Sequence, residues 1–128
     1  MAGGFKPCAA DDVRRLALAL PHAYEDSHRR APAFRVQTRI FAMLREAPPR
    51  LIVKMDREDQ LNMIEGHGPV VRPGPHYSWH GWTEVDFPNC DQELLAQILR
   101  LAWTHVAPRR LVTGQGLNPR PASGIERD

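Results

Sequence analysis

The stretch Pro75-His76-Tyr77-Ser78-Trp79-His80-Gly81-Trp82-Thr83 sets two tryptophans, a tyrosine and two histidines within nine residues of a chain that has 3 Trp, 2 Tyr and 4 Phe in all. Rings at that density are expensive to leave in water, so the segment must pack, bind a ligand, or do both. Tyr77, Trp79 and His80 form the candidate ligand-binding set: rings stack on bases or other flat ligands, and an imidazole adds a hydrogen bond. For Trp79 and His80, packing and binding stand level. Trp82 and Gly81 read more simply, as the first ring of a strand and a tight backbone position beside it. His76 and His80 are four apart, a spacing that chelates a metal when it lies on a helix. Gly74, Pro75 and Gly81 oppose a helix there, and no cysteine or carboxylate is close in sequence, so no metal ligand is assigned.

Cations suited to phosphate occur as Arg29-Arg30, Arg72 and Arg109-Arg110, and these five are the candidate nucleic-acid contacts. Of the 17 basic residues all but Lys6 and Lys54 are arginine, whose planar fork matches phosphate and carboxylate. They stand against 15 acidic residues, for a net charge of +2, so a nucleic-acid footprint has to come from clustering. Arg109 and Arg110 have a second explanation, as cations that complement the C-terminus of the last helix for about 0.3–1 kcal/mol. Lys54 lies between apolar neighbours and reads as a side chain whose stem covers the sheet while its ammonium stays wet. No Gly-x-Ser-x-Gly elbow, phosphate loop or dinucleotide fingerprint occurs, and neither Ser27 nor Ser78 has an evident base with an orienting acid. No catalytic residue and no cofactor are therefore assigned.

Cys8 and Cys90 are the only cysteines and do not form a Cys-x-x-Cys pair, so two reduced thiols are expected. No apolar run approaches the roughly 20 residues of a membrane helix, and Met1–Lys6 lacks the apolar core of a signal peptide. The expectation is a cytoplasmic protein without membrane contact.

These residues need elements to hold them. Val13, Leu16, Ala17 and Leu20 share one helical face, predicting a helix from Asp11 to about Leu20 that Pro21 stops. His22 to Ala31 reads as a polar connection. Ala33–Gln37 and Arg39–Arg45 predict a hairpin, although its turn lacks an Asn-Gly signal. Leu51–Met55 is a third strand. Asp56 can cap a short helix ended near Gly66. His67 to His80 reads as irregular, with a short strand at Val70-Val71. Trp82–Phe87 is the next strand, and Leu95, Ile98, Leu99, Ala102 and Val106 mark a last helix from about Asp91. The order predicts an α+β fold, a two-layer sandwich with helices on one face of an antiparallel sheet. Period-two counting puts Arg35, Lys54, Glu84 and Asp86 on the other face, a mixture of charges that favours cross-strand ion pairs over phosphate binding.

Val13-Arg14-Arg15-Leu16-Ala17-Leu18-Ala19-Leu20-Pro21, Ala31-Pro32-Ala33-Phe34-Arg35-Val36 followed by Arg39-Ile40-Phe41-Ala42, and Leu51-Ile52-Val53-Lys54 stand in this order along the chain. With them the chain resembles, from Asp11 to Leu111, the MmcQ/YjbR family of small bacterial proteins. Pro75 to Trp82 is similar to the family's aromatic loop, and Ala102-Trp103 with Val106-Ala107-Pro108-Arg109-Arg110-Leu111 to its ending. The resemblance implies a frataxin/CyaY-like fold and a DNA-binding label without catalytic residues. Gln37-Thr38 departs from a turn that commonly contains glycine, and Val70-Val71-Arg72 from a place where an aromatic is common. The expected organisation is a flexible N-terminus (1–9), an MmcQ/YjbR-like domain (10–111) and a flexible C-terminal tail (112–128). Two functions are carried forward. One is DNA binding through the five arginines; the other is a small-ligand- or protein-binding module that uses the aromatic loop 75–83.

Overall fold

Carboxylates set where the helices of this fold begin. The computed structural model describes residues 7–114. In α1 (Ala10–Leu18), Asp11 and Asp12 fall in the first turn and the Ala9 N–H donates to the Asp12 carboxylate at 2.8 Å. That bond, with help from Arg15, holds the Asp12 carboxyl below its ordinary range. Six strands follow or intervene: β1 (Ala23–His28), β2 (Ala31–Val36), β3 (Arg39–Glu46), β4 (Pro49–Lys54), β5 (Val71–Pro73) and β6 (Trp82–Val85). Between β4 and β5 lies α2 (Arg57–His67), whose Glu58 N–H donates to the Asp56 side chain at 3.0 Å. In α3 (Gln92–Val106) the Glu93 N–H donates to Asp91 at 3.0 Å. Each contact satisfies an N–H that a helix start leaves open. A final short helix, α4, runs Arg109–Gly114.

The sheet is antiparallel, with strand order β1-β2-β3-β4-β6-β5. Register assigns the faces, since paired residues point the same way. Leu44↔Leu51, Ala42↔Val53, Leu51↔Val85 and Val53↔Thr83 all face inward and are fully buried. Against them pack Val13 and Ala17 of α1 and Leu95, Ile98, Leu99 and Trp103 of α3. Trp103 is wholly buried and its indole N–H donates to the Pro21 carbonyl at 2.9 Å, tying α3 to the end of α1. The expected α+β architecture, with helices on one face of an antiparallel sheet, is what the chain adopts.

One expectation needs correction. His22–Ala31 is not a simple connection, because Ala23–His28 pairs with β2 along its whole length as an edge strand. Four of its six residues are exposed and the two at its ends half-buried, so it carries no apolar alternation to read. Arg109 and Arg110 follow the helix that ends at Val106, as expected, with Ala107 as its cap, and they open the further short helix α4. Cys8 is 5 % exposed and Val112 2 % exposed, and both join the core; most of the two ends expected to be flexible, residues 1–6 and 115–128, lies outside the described residues. Among the described residues no helix is long and apolar enough to cross a membrane.

Candidate ligand-binding cleft

The face of the sheet opposite the helices carries Arg35, Met43, Arg50, Ile52, Lys54, Trp82 and Glu84 by register. Its charges are mixed and paired. Arg50 reaches Glu84 at 3.1 Å and Asp86 at 3.5 Å, Arg72 reaches Glu84 at 2.6 Å, and Arg35 reaches Asp26 at 3.0 Å. The Lys54 ammonium lies 5.6 Å from the centre of the Trp82 ring, within cation–π range.

Over this face stands the aromatic loop between β5 and β6, held by a buried glutamine. Gln60 of α2 has no exposed surface. Its amide donates to the Ser78 carbonyl at 3.0 Å and to the Trp82 carbonyl at 2.9 Å, while its oxygen accepts from Arg57 at 2.5 Å. Arg57 also donates to the Ser78 carbonyl at 3.1 Å. Gly81 sits at φ +94°, and a Cβ there would fall 2.0 Å from the Met55 carbonyl oxygen. Only glycine fits that approach. Tyr77 and Trp79 are 61 % and 65 % exposed, yet the backbone that presents them is anchored on one side by the Gly74 N–H, which donates to the Trp82 carbonyl at 2.9 Å, and on the other at Ser78 and Gly81.

Facing the loop is the tip of the β1–β2 hairpin. His28 pairs with Ala31, leaving Arg29-Arg30 as a two-residue turn, with φ of +53° and +69°. Positive φ at both positions is the signature of a type I′ turn, which normally takes Asn-Gly. Between tip and loop lies a cleft of about 900 Å³, within the range of small-molecule sites. Its hairpin wall is made by His28, Arg29 and Arg30, with Arg45 and Glu46 from the end of β3. Pro32, Met43 and Ile52 supply an apolar floor, and His76, Tyr77 and Trp82 the opposite wall.

The residues singled out in the sequence are thus dispersed. Arg29, Arg30 and Tyr77 line the cleft. Trp79 and His80 do not; they gather beside Tyr77, with Trp79 edge-on to Tyr77 at 6.0 Å between ring centres and His80 5.7 Å from Trp79. Arg72 lies on β5 at the far edge of the sheet, engaged by Glu84. Arg109 and Arg110 are on α4, in the helix layer's share of the chain. Sequence reasoning placed neither His28 nor Arg45 in a ligand site, and weighed His76 only as a metal ligand. His28 and Arg45 gain their place only once β1 exists, because that strand brings the Arg-Arg turn beside β3. The missing signal was a turn dipeptide, and Arg-Arg is not one.

Fold and face define a class: an α+β domain whose antiparallel sheet is covered by helices on one side and crossed by a pinned aromatic loop on the other. The chain belongs to the YjbR family, whose model matches residues 18–105. Among solved structures it is similar to the crystal structure of Deinococcus radiodurans protein DR2400, described by its DUF419 domain, at 24% identity over 93% of this chain and 96% of that one, with a TM-score of 0.66. That likeness is one of fold. No curated protein matches the chain.

Proposed function

We propose that the protein is a small-ligand-binding module whose site is the cleft between the aromatic loop and the β1–β2 hairpin. The observation that supports this most is the pairing of a ligand-sized space with a loop held rigid by Gln60, Arg57 and Gly81. A wall fixed before binding lowers the ordering cost of association. Chemical-shift mapping with a set of neutral, cationic and anionic aromatic fragments tests it. Hits should perturb the amides of Met43–Glu46 and of His76 and Tyr77 together. A set in which no fragment moves both groups sinks the reading.

DNA binding through Arg29, Arg30, Arg72, Arg109 and Arg110 draws less support. The β1–β2 turn and β5 belong to opposite ends of the strand order, about 19–24 Å apart at about 4.8 Å per strand. Arg72 is already neutralised by Glu84. Five phosphate contacts would give a log–log salt slope of about −4.5 on duplex DNA, at about −0.9 each. A measured slope of that size would restore the nucleic-acid reading.

A further inference from the structure

Charge imbalance sets this cleft apart from the rest of the open face. Arg35, Arg50 and Arg72 each have a carboxylate within 3.1 Å. Arg29, Arg30 and Arg45 have none among the described residues, and all three line the cleft. His28 and His76 stand with them, and Glu46 is the one carboxylate on the lining. Three guanidinium groups against a single carboxylate leave the wall short of negative charge, and their forks present paired N–H donors to an oxyanion. Two of the three are placed there by a turn whose backbone suits Asn-Gly and disfavours arginine. The rest of the lining is of another kind: Met43 and Ile52 are apolar, Ile52 is 4 % exposed, and Tyr77 and Trp82 bring rings.

We propose, building on the ligand-binding reading above, that the cleft takes a small organic anion with a flat apolar body. The phosphate or carboxylate end is held by Arg29, Arg30 and Arg45, and the body lies on Met43 and Ile52 against Tyr77. Neither half of the site suffices alone: free inorganic anions leave Met43 and the Tyr77 ring uncovered, and neutral aromatics leave the arginines unanswered.

Calorimetric titration of the full chain at low salt with phenyl phosphate, benzoate, inorganic phosphate and benzyl alcohol separates the parts. The better of the two aromatic anions should bind at least about tenfold tighter than inorganic phosphate and benzyl alcohol, the increment of one charge-assisted contact or one buried ring. A preference for phenyl phosphate identifies a phosphate ligand, and a preference for benzoate a carboxylate. Arg29→Asn combined with Arg30→Gly, which suits the turn, should cost the aromatic anion about tenfold or more and leave benzyl alcohol unchanged, as should Arg45→Gln independently. If benzyl alcohol binds as tightly as the anions, or the arginine variants lose nothing, this inference falls while the ligand-binding reading survives. Inorganic phosphate binding as tightly as the better aromatic anion also overturns it. If no probe binds and no fragment of the wider set perturbs the cleft, both fail together.

Discussion

Replacing Arg29-Arg30 with Asn-Gly is expected to make the protein more stable. Both residues are held at positive φ, +53° and +69°. A side chain with a Cβ pays roughly 1–2 kcal/mol in that region, less for Asn and nothing for Gly. The substitutions therefore relieve about 2 kcal/mol of backbone strain. Against this, the added glycine gives the unfolded chain more freedom, worth about 0.5–1 kcal/mol. The net gain is about 1–1.5 kcal/mol, which for a domain of this size raises the melting midpoint by roughly 4–6 °C. Urea melts followed by circular dichroism check it directly: the midpoint should rise while the slope m stays fixed. Repeating the melt at high salt separates the backbone from the charges, since screening weakens guanidinium repulsion and leaves strain untouched. A midpoint that is unchanged or lower would refute the reasoning, and with it the idea that the turn trades stability for two cations.

Gln60→Leu should destabilise by roughly 1–3 kcal/mol, the cost of taking away buried hydrogen bonds, and should speed amide exchange at His80 and Gly81, because the Ser78 and Trp82 carbonyls lose a shared donor. Trp79→Ala should shift stability by less than about 0.5 kcal/mol, as exposed substitutions do, whereas Gly81→Ala should disrupt folding, with its Cβ driven into the Met55 carbonyl; equal melting points for the two would contradict the loop's anchoring. Burial, reinforced by nearby acidic charge, pushes the Cys8 thiol from 9.0 to about 11 and the Cys90 thiol from 9.0 to about 12. The native state thus keeps protons that the unfolded chain gives up above pH 9, so this contribution is whole below pH 9 and is lost as pH climbs through 11 and 12. Wild type should lose stability more steeply than Cys8→Ala/Cys90→Ala between pH 9 and 11, and parallel curves would refute the assignment.

The core half of the molecule was legible in the sequence. Leu95, Ile98, Leu99 and Ala102 announced α3, Asp56 announced the cap of α2, and alternation in Leu51-Ile52-Val53-Lys54 separated the two faces of the sheet. The mixed charges foreseen on the open face are there, as the Arg50–Glu84 and Arg35–Asp26 pairs. What stayed hidden was the part with little apolar surface. Tyr24-Glu25-Asp26-Ser27-His28 becomes a strand because β2 offers it a ladder, and a partner's backbone leaves no mark on a strand's own residues. With β1 unread, the turn at its end had no position, and half the cleft could not be foreseen. Tyr77 was singled out for its ring, but nothing in the local sequence tells that it turns toward the cleft while Trp79 lies apart. Tyr77 at φ +57° and Gly81 at φ +94° bracket the short turn that carries Trp79, and of these two positions only the glycine is marked as special by its residue type.

The two sides of the cleft differ in mechanical character. The aromatic loop is bolted to α2 through Gln60 and Arg57, whereas the opposing hairpin tip hangs from an edge strand that is exposed along most of its length. Edge strands with few buried contacts open locally at low cost, far below global unfolding. The cleft is a vice with one stiff jaw and one soft jaw. An occupant gripping both would damp the soft one, so the amides of β1, distant in sequence from residues 75–82, are where occupancy would register as slowed hydrogen exchange.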